Sequence, residues 1–144
     1  MWCRYLLAID GSDSGQVALE YCARLTADTP SEVRVLHVLE LPMNLRSIPL
    51  ESTDEAHKLV ADAVGYLRRL GTSAQGQTCS AREESVASRI VDAAGEWQCS
   101  AIILGSRRLR GLGRLSGHGV RERVLRLSEL PVITAPTPAY QRAS

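Results

Sequence analysis

Short, dense apolar runs alternate along this chain with longer stretches whose apolar residues recur at helical spacing. The runs are residues 5–9, 33–38, 101–104 and 131–135. Runs that are apolar at nearly every position are typical of strands buried on both faces of a parallel sheet. Parallel strands need long crossover connections, which are usually helices. The alternation therefore predicts an α/β domain built on a parallel sheet.

The stretches between these runs have the punctuation of helices. Residues 12–14 offer N-caps for a first helix, and Thr53 is predicted to cap a second one that stops at Gly71. Ser85 is predicted to open a third helix, and residues 120–127 form a short fourth one. Because right-handed crossovers place helices on both sides of a sheet, the sheet is predicted to be doubly wound and covered on both faces.

Two stretches are less regular. Residues 74–80 are polar, and they are predicted to be a weak fifth strand mainly because the βα order requires one there. Residues 40–53 contain two prolines and are predicted to form the long irregular loop of the domain, a length that usually carries function. The sequence shows no linker or internal repeat. We therefore expect one domain over residues 1–138 and a tail over residues 139–144.

Length and charge limit the class of protein. The chain has 144 residues, which suits one domain, and a formal net charge of +1, which disfavours a nucleic-acid coat or a membrane-surface protein. The sequence has no run of 18 apolar residues, so no transmembrane helix is predicted. The first apolar run ends at once in Asp10, unlike a secretory signal, so a cytoplasmic protein is expected.

Cysteine and histidine spacing gives no sign of disulfides or metal. The four cysteines lie far apart without a CxxC pair, so reduced, mostly buried thiols are expected: Cys3, Cys22, Cys79 and Cys99. The three histidines have no ligand spacing with each other or with a cysteine: His37, His57 and His118. No structural metal site is predicted.

Three polar or glycine-rich groups each follow a predicted strand. They are residues 10–12, residues 38–40 and the glycine- and arginine-rich stretch 105–119. In an open parallel sheet, ligands bind beyond the carboxyl ends of the strands, where the strand order reverses. Alone, the first group favours a simple turn with a helix cap over a binding role, and the last is equally a solvated loop. Their combination in this topology favours a binding site.

These features together resemble the universal stress proteins. The resemblance rests on a first strand ending in DGS, a second ending in LHV, and the segment ILGSRRLRGLGRL before a helix and a final P-V-I strand. It covers Arg4 to Pro136 and implies a five-stranded sheet of order 3-2-1-4-5. It also implies a homodimer that pairs the last strands, here through Val132, Ile133 and Thr134.

The nucleotide-binding branch of that family carries Gly-x2-Gly-x9-Gly-Ser after the fourth strand, where glycines let backbone N–H groups approach phosphates. Aligned without gaps, the first glycine is Gly105, but the later positions hold Arg108, His118 and Gly119. Added side chains at Arg108 and His118 would block a triphosphate. Equally, arginines here would supply side-chain donors to an anion, since seven arginines and one acid lie between Gly105 and Arg126.

The adenosine half of the family site agrees better with this chain. Residues 8–10 match the segment that lines the base and ribose, and Val38 matches the position whose backbone contacts the adenine edge. The resemblance therefore implies the following nucleotide-binding residues: Ala8, Ile9, Asp10, Val38, Gly105, Arg107, Arg108, His118, Gly119 and Val120.

The resulting prediction is a regulatory stress-response module that binds an adenine nucleotide (ATP, AMP or cyclic AMP) and acts through an unknown protein partner. The alternative is a dimeric family member that binds no nucleotide and acts only as an interaction protein. An enzyme related to the ATP pyrophosphatases is disfavoured, because residues 10–15 only partly imitate the phosphate loop of such enzymes. RNA binding is disfavoured because the arginine-rich stretch lacks aromatic residues for base stacking.

Overall fold

The computed structural model of the chain describes residues 2–41, 51–105 and 119–136. Its elements, in chain order, are β1 (Cys3–Ala8), α1 (Asp13–Thr26), β2 (Ser31–Leu41), α2 (Thr53–Arg69), β3 (Ser73–Arg82), a 3₁₀ turn (Glu83–Ser85), α3 (Val86–Glu96), β4 (Ala101–Gly105), α4 (Val120–Leu127) and β5 (Val132–Ala135). The strands form one sheet in the order β3-β2-β1-β4-β5, and every neighbouring pair is parallel. The predicted fold class and strand order are confirmed.

Alternate residues of the central strands enter two separate cores. Leu7 and Ile103 pack against α1 and α2 on one face, and Leu6 and Ile102 pack against α3 and α4 on the other. All four side chains are fully buried. Strands that are buried on both sides need apolar residues at successive positions, which explains the dense runs in the sequence.

The helix starts follow ordinary capping chemistry. The Ser12 hydroxyl accepts a hydrogen bond from the Gly15 N–H (3.3 Å) and caps α1, as predicted. The predicted cap of α2 at Thr53 is wrong by one residue, because the Ser52 hydroxyl accepts from the Glu55 N–H at 3.1 Å. Thr53 is instead the first helical residue. Both residues carry a hydroxyl group, and only the backbone conformation decides which of them caps the helix.

Strand β2 is longer than its apolar run. It continues through residues 40 and 41, which the sequence assigned to the long loop, and it pairs with β3 as far as Leu41↔Arg82. Residues 42–50, the middle of that predicted loop, lie outside the described ranges, while its last residues include the Ser52 cap and the start of α2. Pairing with a neighbouring strand therefore extends β2 beyond the point where its own side chains are buried.

The weakest predicted strand is also longer than expected. Strand β3 has ten residues and forms one edge of the sheet, so its polar side chains have solvent on one side. A Cβ on Gly76 would collide with Val60 and lie 2.9 Å from Cγ2 of Val64. The absence of a side chain at Gly76 therefore lets α2 pack closely on β3, and this contact leaves no apolar run in the sequence.

The cysteines are free, and two of them are buried, Cys22 in α1 and Cys99 before β4. Burial raises the pKa of the Cys22 thiol to about 12, and burial also raises the pKa of Cys99. Both are neutral thiols at physiological pH, because removal from water disfavours the thiolate.

The far edge of the sheet is β5, where Val132 and Ile133 are half-buried and Thr134 is exposed. Pairing of two copies through this strand stays a prediction. The predicted tail boundary after residue 138 lies outside the described residues and stays a prediction too. None of the helices described is long and apolar enough to cross a membrane.

Candidate functional site

A pocket opens at the carboxyl ends of β1, β2 and β4. The strand order places β4 on the opposite side of β1 from β2, so the winding of the sheet reverses here. Crevices at such reversal points are where open α/β sheets bind ligands. The pocket is lined by Ala8, Ile9, Asp10, Ser14, Gly15, Leu36, Val38, Glu40, Val86, Ile90, Leu104, Gly105, Gly119, Val120, Arg121 and Glu122.

The pocket is far larger than a packing defect. The volume open to the centre of a water molecule is about 140 Å³. By the same measure, a cavity needs only about 10–15 Å³ to hold one water. This site has room for a ligand of several fused or linked rings.

One side of the pocket is an apolar slot. Leu36, Val38 and Leu104 contribute from the sheet, and Val86 and Ile90 contribute from α3. Each of these five side chains is less than a tenth exposed. They pack in the core between the sheet and helices α3 and α4, which holds them in position. A flat apolar group, such as a heteroaromatic base, would be desolvated on both of its faces between sheet and helix.

The other side of the pocket is polar and contains two helix starts. Ser14 and Gly15 belong to the first turn of α1, and Val120 begins α4 directly after Gly119. Gly119 has no side chain to cap α4, so the first N–H groups of that helix have no partner from the N-cap residue. Helix starts carry partial positive charge, and the polar side of the pocket is therefore suited to an anionic group.

The carboxylate of Asp10 is held by the turn that follows β1. Its Oδ1 accepts hydrogen bonds from the Ser12 N–H (3.0 Å) and the Ser12 hydroxyl (2.5 Å). Gly11 makes this turn possible with a φ of 80°, a conformation that glycine adopts without strain. Asp10 thus shapes the turn, while Ser12 caps the helix, and the exposed carboxylate also lines the pocket.

Charge in the described lining is mixed. Three carboxylates line it, those of Asp10, Glu40 and Glu122, together with one guanidinium, that of Arg121. The described lining alone therefore favours a ligand with few negative charges over one with many. The arginine-rich stretch at residues 106–118 lies outside the described residues.

Seven of the ten residues predicted for the site line this one pocket: Ala8, Ile9, Asp10, Val38, Gly105, Gly119 and Val120. The other three, Arg107, Arg108 and His118, lie outside the described residues. The binding roles of all ten stay predictions. Glu40, from the strand-end group at residues 38–40, also lines the pocket. Val86 and Ile90 are lining residues that the sequence did not indicate, because the helical stripe of α3 gave no sign of which residues face the pocket.

Sequence reasoning also missed a role for His37. Its side chain is 4% exposed and lies on β2 between Leu36 and Val38. Nδ1 is 2.8 Å from the Ile9 carbonyl oxygen, and Nε2 is 2.7 Å from Oε2 of Glu51. A histidine inside an apolar strand run was the available signal, because a buried imidazole needs partners for its ring nitrogens.

The described residues contain no cluster of three or more side chains able to hold a metal ion. The polar features of the pocket are side-chain and backbone groups near two helix starts. Fold and pocket together define a single-domain parallel α/β protein with a pocket at the reversal of its sheet. Comparison with known proteins makes this class more specific.

The chain belongs to the universal stress protein family, whose family model matches residues 1–136. The curated relative YxiE of Bacillus subtilis is 29% identical, and the match covers 92% of this chain and 98% of that protein. A solved family protein from Burkholderia pseudomallei has a TM-score of 0.74 at 28% identity, and the match covers 93% of this chain and 96% of the other.

Other solved family members carry adenine nucleotides. One from Archaeoglobus fulgidus is in complex with dAMP, with 24% identity, a TM-score of 0.68, and coverage of 94% of this chain and 98% of that one. One from Arabidopsis thaliana has AMP bound (18%, TM-score 0.66, 96% and 94% covered) and a further one is in complex with cAMP (16%, 0.71, 92% and 94%). At these identities the likeness establishes a shared fold.

Proposed function

We propose that this chain binds an adenine nucleotide in the pocket at the sheet reversal and acts as a small regulatory module through a protein partner. The observation that carries the proposal is the convergence of seven sequence-selected residues from four separate segments on that pocket. Solved relatives with AMP, dAMP and cAMP support an adenine nucleotide as the ligand.

The adenine would occupy the apolar slot between Val38 and α3, where Val86 and Ile90 face the sheet. Burial of an aromatic base supplies the non-directional part of the affinity, since apolar area removed from water contributes about 25 cal/mol per Å². Glu40 lies at the rim of the same pocket and offers an acceptor for an amino group.

The ribose and phosphate would lie on the polar side. The exposed Asp10 carboxylate would accept hydrogen bonds from ribose hydroxyl groups, and the start of α4 at Gly119 would bind a phosphate. Three carboxylates in the described lining oppose a long polyphosphate. We therefore propose a monophosphate or cyclic monophosphate ahead of ATP.

Binding without catalysis is part of the proposal. Both ring nitrogens of His37 are engaged, one by a carbonyl and one by Glu51, so neither is left to activate a hydroxyl. The Ser12 and Ser14 hydroxyl groups lie 3.0 Å apart and the Ser12 hydroxyl donates to Asp10, but no described histidine is bonded to either serine. The cytoplasm is the proposed location, and subcellular fractionation tests it.

The second candidate is a dimeric interaction protein that binds no nucleotide. The acidic character of the described pocket lining favours it, as does the altered glycine motif at residues 108 and 118. In that case the pocket would be a feature of the fold that binds no nucleotide.

Isothermal titration calorimetry with AMP, cyclic AMP and ATP, at one salt concentration, separates the two candidates. Salt is held constant because arginine–phosphate attraction is screened. We expect heat and one site per chain for AMP. Absence of heat with all three ligands, together with no nucleotide released from the freshly purified protein in native mass spectrometry, would establish the interaction-only candidate.

A further inference from the structure

His37 does not line the nucleotide pocket, yet it holds the backbone of a residue that does. Leu36 and Val38 face the core next to α3, and His37, between them in the strand, faces the opposite side of the sheet. From that side its Nδ1 reaches the carbonyl oxygen of Ile9, one residue after the end of β1. The side chain of His37 therefore reaches the pocket through the Ile9 backbone.

The chemistry of this contact assigns the proton on Nδ1. A carbonyl oxygen only accepts hydrogen bonds, so Nδ1 of His37 carries the hydrogen and donates it to Ile9. The remaining nitrogen, Nε2, faces a carboxylate oxygen of Glu51 at 2.7 Å. One proton therefore lies between Nε2 and Glu51, and the ring is held at both ends.

The Ile9 carbonyl belongs to the same planar peptide unit as the Asp10 N–H. Regular parallel pairing of β1 with β2 ends at Ala8↔Leu36, and the Ile9 N–H still donates to the Leu36 carbonyl at 3.0 Å. The imidazole then restrains the carbonyl end of Ile9, at the point where the chain leaves the sheet. Orientation of that peptide determines where the Asp10 side chain begins.

We propose that His37 is a positioning residue for the nucleotide site, which orients the Asp10 carboxylate by holding the Ile9–Asp10 peptide. Glu51 completes the arrangement, because it directly precedes the Ser52 cap of α2 and fixes the other end of the ring. The pair thus ties the start of α2 to the end of β1. This inference rests on the proposed function, since Asp10 must contact the ligand for its orientation to matter.

Two isosteric substitutions separate the two hydrogen bonds of His37. Asparagine places its amide nitrogen near the position of Nδ1, so His37→Asn retains the donor to Ile9 and loses Glu51. Glutamine places its amide nitrogen near Nε2, so His37→Gln retains Glu51 and loses Ile9. We expect His37→Gln to weaken AMP binding about tenfold, equivalent to about 1.4 kcal/mol, while His37→Asn stays within about threefold of wild type.

A double-mutant cycle tests whether His37 acts through Asp10. His37→Gln should cost less than about twofold in AMP affinity when introduced into Asp10→Ala, because the carboxylate that it positions is gone. A purely structural histidine would instead weaken both backgrounds equally. Equal losses in the two backgrounds, or equal affinities of the Asn and Gln variants, would overturn the proposal.

Two measurements keep the inference separate from the proposed function. If wild type binds no AMP, the amide resonance of Asp10 in the ligand-free proteins still decides, since it should move in His37→Gln and stay near wild type in His37→Asn. If neither variant folds, the ring nitrogen resonances of wild-type His37 decide. An Nδ1 without a bound proton would refute the arrangement.

Discussion

Gly105, at the end of β4, lies against the backbone of Ser14 in the first turn of α1. A Cβ placed on Gly105 would be 2.7 Å from the Ser14 carbonyl carbon and 2.9 Å from its Oγ. Glycine is therefore required here by the packing of β4 on α1, whether or not a phosphate ever approaches. This contact also brings the two segments together at the polar side of the pocket.

Gly105→Ala should lower the free energy of unfolding by about 1–3 kcal/mol, because the methyl group meets backbone atoms that cannot rotate away. Urea denaturation measures the change. Gly95→Ala is the matched control, since a Cβ there has nothing within 4 Å and Gly95 lies in α3. That variant should gain about 0.4–1 kcal/mol from the reduced entropy of the unfolded chain. An alanine at 105 as stable as wild type would contradict the packing argument.

Asp10→Ala should weaken AMP binding by about 1–3 kcal/mol, since ligand hydroxyl groups would lose their acceptor. Asp13→Ala is the control, because Asp13 is exposed at the start of α1, three residues after Asp10, but does not line the pocket. Calorimetric titration of both variants gives the comparison. If Asp10→Ala loses stability but keeps its affinity, Asp10 serves only the turn with Ser12.

The triple substitution Arg108→Gly, His118→Gly, Gly119→Ser should shift ligand preference from AMP towards ATP. It places glycine at the two altered motif positions and serine after them, which is the motif that the family resemblance implies for nucleotide binders. The ratio of the two dissociation constants at fixed salt is the measurement. Wild-type protein that binds ATP at least as tightly as AMP would show that Arg108 and His118 do not obstruct the phosphate tail.

Ile133→Lys should convert a dimer into a monomer at micromolar concentration, as measured by light scattering. Strand β5 is an edge of the sheet, and a charge at the centre of a paired edge disfavours pairing with a second copy. Gln77→Lys on the opposite edge, β3, is the control and should leave the assembly unchanged. A dimer that survives Ile133→Lys places the interface elsewhere.

The protein should lose stability as the pH rises from about 9 towards 12, in part through Cys22. Its pKa in the folded protein, about 12, lies above the ordinary thiol value of 9.0, so the unfolded chain releases this proton first. The contribution is complete below pH 9 and should be reduced by roughly 2 kcal/mol at pH 10.5. Cys22→Ala should remove this part of the pH dependence, whatever its effect on stability at pH 7. Identical pH profiles for the two proteins would contradict the assignment.

Much of the fold was predictable because local and tertiary demands coincide in it. The buried strands β1 and β4 need apolar residues on both faces, and their sequences show it. Gly71, predicted as a helix stop, follows α2 with a φ of 90°, which few other residues adopt easily. The strand-end residues of the pocket were predictable for a related reason, since the carboxyl ends of parallel strands lie at the same edge of the sheet.

The amino-acid sequence by itself determined the class of fold, the caps of α1 and α2 within a residue, the stop of α2 at Gly71, and the strand-end positions of the candidate site. These depend on side-chain periodicity and backbone preference, which act over a few residues. The extent of β3, the close approach at Gly105 and the contact of His37 with Ile9 and Glu51 were decided only by the tertiary structure. Each depends on segments distant in sequence that meet through packing, and no local pattern records which atoms will then lie within hydrogen-bonding reach.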